Sequence, residues 1–162
     1  MQNISLRPIL KEDNREIARI IRQVLAEFGA NKPGTVYFDP TTDALFELFS
    51  EKESAYFIME SDGKIIGGSG IFPTQGLPAG CCELVKLYLL PESRGRGLGL
   101  LLLEKCFQKA LDFGFRQIYL ETMTELRTAI GLYEKAGFTY LPTPLGRSGH
   151  FGCDRWMIKE LL

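Results

Sequence analysis

The stretch Arg94-Gly95-Arg96-Gly97-Leu98-Gly99 carries the most chemical information in this chain of 162 residues. Three glycines alternate where an apolar, β-prone run gives way to a helical one. Glycine loses more backbone freedom on folding than any other residue. Its placement here makes sense where the main chain must bend sharply and come close to a ligand. The free N–H groups at a helix N-terminus, reinforced by the helix dipole, favour phosphate. Arg94 and Arg96 add positive charge at the same spot. The segment therefore predicts a phosphate-binding loop. It is not a Walker loop, because no Lys-Ser or Lys-Thr follows. It is not a dinucleotide fingerprint either, because the last small-residue position falls on Leu100 or Leu102.

The elements that must position this loop follow from hydrophobic periodicity. Residues 4–9 alternate apolar and polar, which predicts a strand. Asp13, three residues ahead of Glu16, predicts the N-cap of a helix carrying Ile17, Ile20, Ile21, Val24, Leu25 and Phe28 and closed by Gly29. Residues 31–40 read as loop, and Ala44, Leu45, Leu48 and Phe49 place a second helix. Residues 55–60 and 64–72 form a hairpin around Asp62-Gly63. Residues 73–80 are loop, and residues 81–90 are a strand ended by Pro91. An amphipathic helix at 98–113, a strand at 117–122, a helix at 125–136 and a strand at 138–141 follow. A Gly/Pro-rich loop over 142–152 precedes a last strand at 154–161. The order β-α-α-β-β-β-α-β-α-β-β predicts an α/β fold, a mixed central β-sheet flanked by helices. No repeat or linker divides the chain, so residues 1–162 read as a single domain.

Composition narrows the function classes. Charges of 19 Lys+Arg and 20 Asp+Glu sum to −1, which excludes a generally polybasic nucleic-acid binder. No apolar run approaches the ~20 residues that span a bilayer, and no secretory signal is visible. The four cysteines form no CxxC, and His150 is the single histidine, so no metal site is expected. Cys81, Cys82, Cys106 and Cys153 read as reduced thiols of a cytoplasmic protein.

With these elements in place, the chain resembles the GCN5-related N-acetyltransferases. Their cofactor motif, Arg/Gln-x-x-Gly-x-Gly/Ala after the fourth strand, reads here as Arg94-Gly95-Arg96-Gly97-Leu98-Gly99. The segment Ala129-Ile130-Gly131-Leu132-Tyr133-Glu134-Lys135-Ala136-Gly137-Phe138 is similar to the family's second signature. The opening Leu6-Arg7-Pro8 with Asp13 looks like the family's start. The resemblance implies acetyl-CoA, as acyl-donor cosubstrate, wedged between the fourth and fifth strands. Backbone N–H groups of Arg94, Gly95, Arg96, Gly97, Leu98 and Gly99 would hold the pyrophosphate. Main-chain groups of Leu87, Tyr88 and Leu89 would pair with the pantetheine like an added strand. Many members carry an Asn three residues before the helical Ala, where this chain has Leu126, with Thr124 or a water as substitutes for the lost contact.

The reaction implied is acetyl transfer to a primary amine of a small molecule or peptide, by direct attack in a ternary complex. An amine must lose a proton before it can attack, the carbonyl oxygen must be stabilised, and the departing thiolate gains from a proton donor. Glu83, eleven residues before Arg94 as in histone-acetylating members, is the candidate base, with Glu121 and Glu125 as alternatives. Tyr133 is the candidate acid, and the N–H of Leu89 would polarise the carbonyl. His150 reads first as a surface or structural residue and alternatively as a substrate contact. Tyr37, Phe38 and Phe72 are candidate walls of the acceptor pocket. Two other readings stay open: a non-catalytic acyl-CoA-binding regulatory module and an acyltransferase for a longer acyl-CoA. A homodimer also stays open, since family members are often dimers. Neither nucleic acid nor a membrane is expected as partner.

Overall fold

The computed structural model describes residues 2–162. Seven strands form one sheet: β1 (Ile4–Pro8), β2 (Ala55–Ser61), β3 (Lys64–Phe72), β4 (Cys81–Leu89), β5 (Gln117–Thr122), β6 (Thr139–Leu141) and β7 (Arg155–Glu160). Their spatial order is β1-β2-β3-β4-β5-β7-β6, antiparallel except where β4 meets β5. Helices α1 (Asn14–Glu27) and α2 (Leu45–Leu48) pack on one face, and α3 (Leu98–Asp112) and α4 (Arg127–Lys135) on the other. The alternation along β2 sorts the two cores. Tyr56 and Ile58 turn to α1, while Phe57 turns to α3.

The order of elements agrees with the hydrophobic pattern, and two local expectations do not hold. Asp13 does not cap α1. Its carboxylate accepts from the N–H of Leu10 at 2.7 Å and from Arg7 at 2.7 and 2.9 Å, at the end of a 3-10 turn, Lys11–Asp13, that runs straight into the helix. The second helix shrinks to the single turn of α2, because residues Pro40–Ala44 ahead of it take 3-10 form under an Asp39 cap on Thr41.

The sheet opens in its middle. β4 and β5 pair in parallel only at Cys81↔Gln117, Cys82↔Ile118 and Glu83↔Tyr119, and then part. A β-bulge at the point of parting supplies the cause. Gly70 faces Val85 and Gly68 faces Tyr88, so Lys86 and Leu87 together oppose the single residue Ser69. Lys86 takes the left-handed conformation, φ 54°. The bulge inverts the alternation of β4. Cys82 and Leu84 face α3 before it, and Leu87 does so after it, while Val85 and Tyr88 face α1. On the other side the ring of Tyr56 lies across β3, where a Cβ on Gly68 or Gly70 would come within 2.7 Å of it. Its hydroxyl donates to the main-chain O of Lys86 at 2.8 Å.

Candidate active site

The wedge between β4 and β5 is a cleft of about 470 Å³. Its floor is the open edge of β4. The N–H of Leu90 donates to Ile66 O at 2.9 Å, which turns the main-chain groups of alternate residues, Leu87 and Leu89, away from β3 toward the cleft. The carbonyl of Leu89 is already taken by Arg94, whose Nε and Nη2 donate to it at 3.2 and 3.0 Å. Tyr88 O points at β3, only 2.1 Å from where a Cβ on Gly67 would stand, so Tyr88 lines the cleft with a buried ring rather than with free main-chain groups.

The glycine loop closes one end. Gly95 and Gly97 are left-handed, φ 73° and 75°, and an added Cβ would meet nothing within 4 Å at either. Backbone conformation alone therefore calls for glycine there. Leu98 is buried against Met59, Ile66, Leu89 and Leu102 and anchors the start of α3. That leaves the N–H groups of the helix's first turn at the mouth of the cleft. Gly99 has a different reason: its Cβ would lie 2.8 Å from Leu132, so it lets α3 approach α4. Arg94 pairs with Glu27 at 2.6 and 3.0 Å and lies 5.0 Å over the Phe28 ring, tying the loop to the end of α1. Arg96 is exposed and outside the cleft wall.

At the other end stands Glu83, 4% exposed, with Thr74 Oγ1 donating to its Oε1 at 2.5 Å. No other protein hydrogen bond reaches this carboxylate among the described residues. Burial pushes it up to about 7, with Thr74 and Lys86 opposing the rise and Glu121 adding to it. A carboxyl near 7 is half in its base form at neutral pH. Glu121 lies on the same wall, but Tyr119 donates to it at 2.7 Å and Ser148 to its other oxygen. Glu125 pairs with Lys32 and lies outside the cleft. Tyr133 is buried and lines the cleft from α4, its hydroxyl without a protein partner among the described residues. Burial, with Cys106 and Cys153 nearby, raises its phenol, which stays a proton donor at any physiological pH. Cys153 also reaches the cleft, but burial pushes its thiol up to about 12, which removes it as a nucleophile.

Two residues of the cleft wall, Lys86 and Thr122, lie beyond the sequence reading. Lys86 is buried in the cleft wall. Thr122 Oγ1 is buried there with no hydrogen-bond partner among the described residues. Thr122 and Leu126 both line the cleft, whereas Thr124 lies outside the wall and donates to Asp154 at 2.9 Å. His150 belongs to the wall, with Nε2 2.8 Å from Asp39 Oδ2. Burial works to raise the Asp39 carboxyl, but hydrogen bonds from His150 and Thr41 outweigh it and hold it low. Tyr37, Phe38 and Phe72 do not line the cleft: Tyr37 and Phe72 pack on the α1 core, and Phe38 is exposed. Phe28 and Val36 line the cleft instead, Phe28 beneath Arg94 at the glycine-loop end. No metal-ligating cluster occurs among the described residues, and no helix there is long and apolar enough to cross a membrane.

The comparisons with known proteins agree with this geometry. A family model described as the acetyltransferase (GNAT) family matches residues 19–138. The N-acetyltransferase YjgM of Escherichia coli, itself uncharacterised, is 42% identical over 162 residues, 99% of this chain and 96% of that protein. A GNAT acetyltransferase of Staphylococcus aureus has the same fold at a TM-score of 0.84 and 17% identity, over 99% of this chain and 100% of that one. YncA of Salmonella typhimurium, solved with its cofactor acetyl-CoA, superposes at a TM-score of 0.75 and 21% identity, over 99% of this chain and 95% of that one. The overall fold is thus shared with these two solved structures, and by sequence the chain belongs to the GNAT family of N-acetyltransferases.

Proposed function

We propose that the chain transfers the acetyl group of acetyl-CoA to a primary amine of a small molecule or peptide, in one ternary complex, with residues 1–162 acting as a single domain. The observation that carries this reading is the unpaired edge of β4, which runs from a carboxylate near pKa 7 to a glycine loop at a helix N-terminus. The fit to the donor is supported by three unmet hydrogen-bonding features: the edge itself, the orphan Thr122 Oγ1 and the open glycine backbone. The first-turn N–H groups from Leu98 onward would hold the pyrophosphate, with Gly95, Arg96, Gly97 and Gly99 shaping the loop. Arg94 would position that loop through Glu27 and Leu89 rather than grip phosphate. Leu87 would pair with the pantetheine, Tyr88 would pack beside it, and the N–H of Leu89 would face the acetyl carbonyl.

Bound acetyl-CoA supplies an activated thioester carbonyl. Glu83 takes the proton from the attacking amine, directly or through one water. The N–H of Leu89 polarises the carbonyl oxygen. Tyr133 donates its proton to the departing sulfur. Such a reaction needs neither metal nor cysteine nucleophile. A cytoplasmic location suits the four free cysteines, three of them buried. The test is mass spectrometry of the pure protein with acetyl-CoA and pooled amino acids, polyamines, aminoglycosides and short peptides. Acetylation of an amine only with active protein is the expected result. Binding of acetyl-CoA without any product would instead favour a regulatory acyl-CoA-binding module.

A further inference from the structure

We propose that Lys86 binds a carboxylate of the acceptor, and that the acceptor is an amine of the amino-acid type, carrying that carboxylate on the carbons next to the reactive nitrogen. This rests on the transferase reading above and specifies its second substrate.

The carboxylates of the acceptor end all receive hydrogen bonds from the protein. Glu83 receives Thr74, Asp39 receives Thr41 and His150, and Glu121 receives Tyr119 and Ser148. Each carboxylate there thus has a donor from the protein. Lys86 is 8% exposed and lines the same cleft, yet among the described residues its ammonium makes no hydrogen bond and has no carboxylate within 4 Å. Burial lowers the pKa of this ammonium, and Asp39 and Glu83 nearby offset the fall only in part. A buried ammonium gains most from an anion in direct, hydrogen-bonded contact, and no side chain of this pocket supplies one to Lys86 among the described residues. The phosphates of the donor belong at the glycine loop, at the far end of the cleft. A contacting anion at this end of the cleft would therefore come from the acceptor.

The backbone supports the assignment. Lys86 is a non-glycine residue at φ 54°, on the bulge that parts the strands, and its carbonyl is pinned by Tyr56 at 2.8 Å. A side chain held in such a sparsely populated conformation by its surroundings is characteristic of ligand-holding positions. Lys86 also stands three residues from Glu83 on one strand, at most ~11 Å along the chain. One small molecule can meet both, its amine at Glu83 and its carboxylate at Lys86.

The experiment uses common L-α-amino acids, each paired with its primary amide, and acetyl-CoA. In the wild-type protein, kcat/KM for the best acid should exceed that for its amide by ~10-fold or more, the usual weight of a hydrogen-bonded charge contact. Lys86→Met should bring the ratio close to one by raising KM for the acid, and Lys86→Arg should keep part of it. Acetyl-CoA affinity by calorimetry checks that each variant is folded. Where Lys86→Met fails to fold, the wild-type ratio and Lys86→Arg carry the test. Amine turnover with no preference for the acid, or a preference that survives in Lys86→Met, overturns the proposal and leaves the transferase reading standing. Bound acetyl-CoA with no acetylated amine of any kind strikes the transferase reading, and the proposal falls with it.

Discussion

The phenol of Tyr56 reaches across the whole width of β3 to donate to the main-chain carbonyl of Lys86 at 2.8 Å. Gly68 and Gly70 make room for the ring, and the bond fixes the bulge that separates β4 from β5. Glycines weaken a strand interior, so their presence here marks the close passage of another group. Tyr56→Phe leaves a buried carbonyl without its donor, at a cost of about 1–3 kcal/mol. Denaturant titration should show that loss, and steady-state kinetics a lower kcat/KM, because the bulge sets the edge the substrates use. Gly68→Ala should be the more damaging change, since its Cβ would stand 2.6 Å from the main-chain O of Phe57 as well as against the ring. An unchanged denaturation midpoint in both variants would contradict this account of the splay.

Glu83 ties activity to pH and to stability with opposite signs. Its carboxyl is raised from 4.5 to about 7 by burial, so the base form grows as pH rises through 7. The kcat/KM profile should climb through that value and level off above it, and Glu83→Gln should lose the limb along with most of the turnover. The folded state holds this proton more tightly than the unfolded one. Stability from this group is therefore fully present below about 4.5 and falls as pH rises toward 7, by about 3 kcal/mol in all. Glu83→Gln keeps the Thr74 contact without the buried charge. It should melt higher than the wild type at pH 8, and the gain should vanish near pH 5. A gain that is the same at both pH values would show that the carboxyl is not perturbed.

The glycine loop gives a separable test of donor binding. Gly97 is left-handed with open space around its Cα, so Gly97→Val meets no clash but strains the backbone where the N–H groups must be aimed. Calorimetry should show acetyl-CoA binding abolished, while circular dichroism and Tm report a retained fold. Wild-type affinity in this variant would remove the loop from the phosphate site.

Much of the architecture was legible because periodicity survives in a single sequence. Ile17, Ile20, Ile21, Val24 and Leu25 announce α1, and all five are buried. What escaped was set by contacts remote in the chain. Asp13 looks like a helix cap until Arg7 and the N–H of Leu10 claim it. The parity of β4 reads as uninterrupted alternation, because nothing in the letters Val85-Lys86-Leu87 marks a lysine at φ 54°. Pairing Asp39 with His150 spans 111 residues and joins two loops that composition alone leaves blank. The motif residues are the easier part of the site, since the glycines of the loop declare a local backbone need. The acceptor end is harder, because its side chains converge from loops whose fold depends on one another.

Tyr133 provides the sharpest test of the chemical step. Burial keeps its phenol protonated, its hydroxyl has no protein partner among the described residues, and its ring is fixed edge-on to Phe138 with centroids 5.8 Å apart. Tyr133→Phe keeps that packing and removes only the proton donor. Positioned acid catalysis is worth roughly 100- to 10,000-fold, and part of it survives when a water can enter, so kcat should fall by about 10- to 1,000-fold. Affinity for acetyl-CoA should change by no more than about threefold, because the lost interaction forms only as the sulfur departs. The split between kcat and binding separates this role from mere packing. A packing defect would lower Tm and weaken acetyl-CoA together, and equal turnover in the variant would remove Tyr133 as the acid.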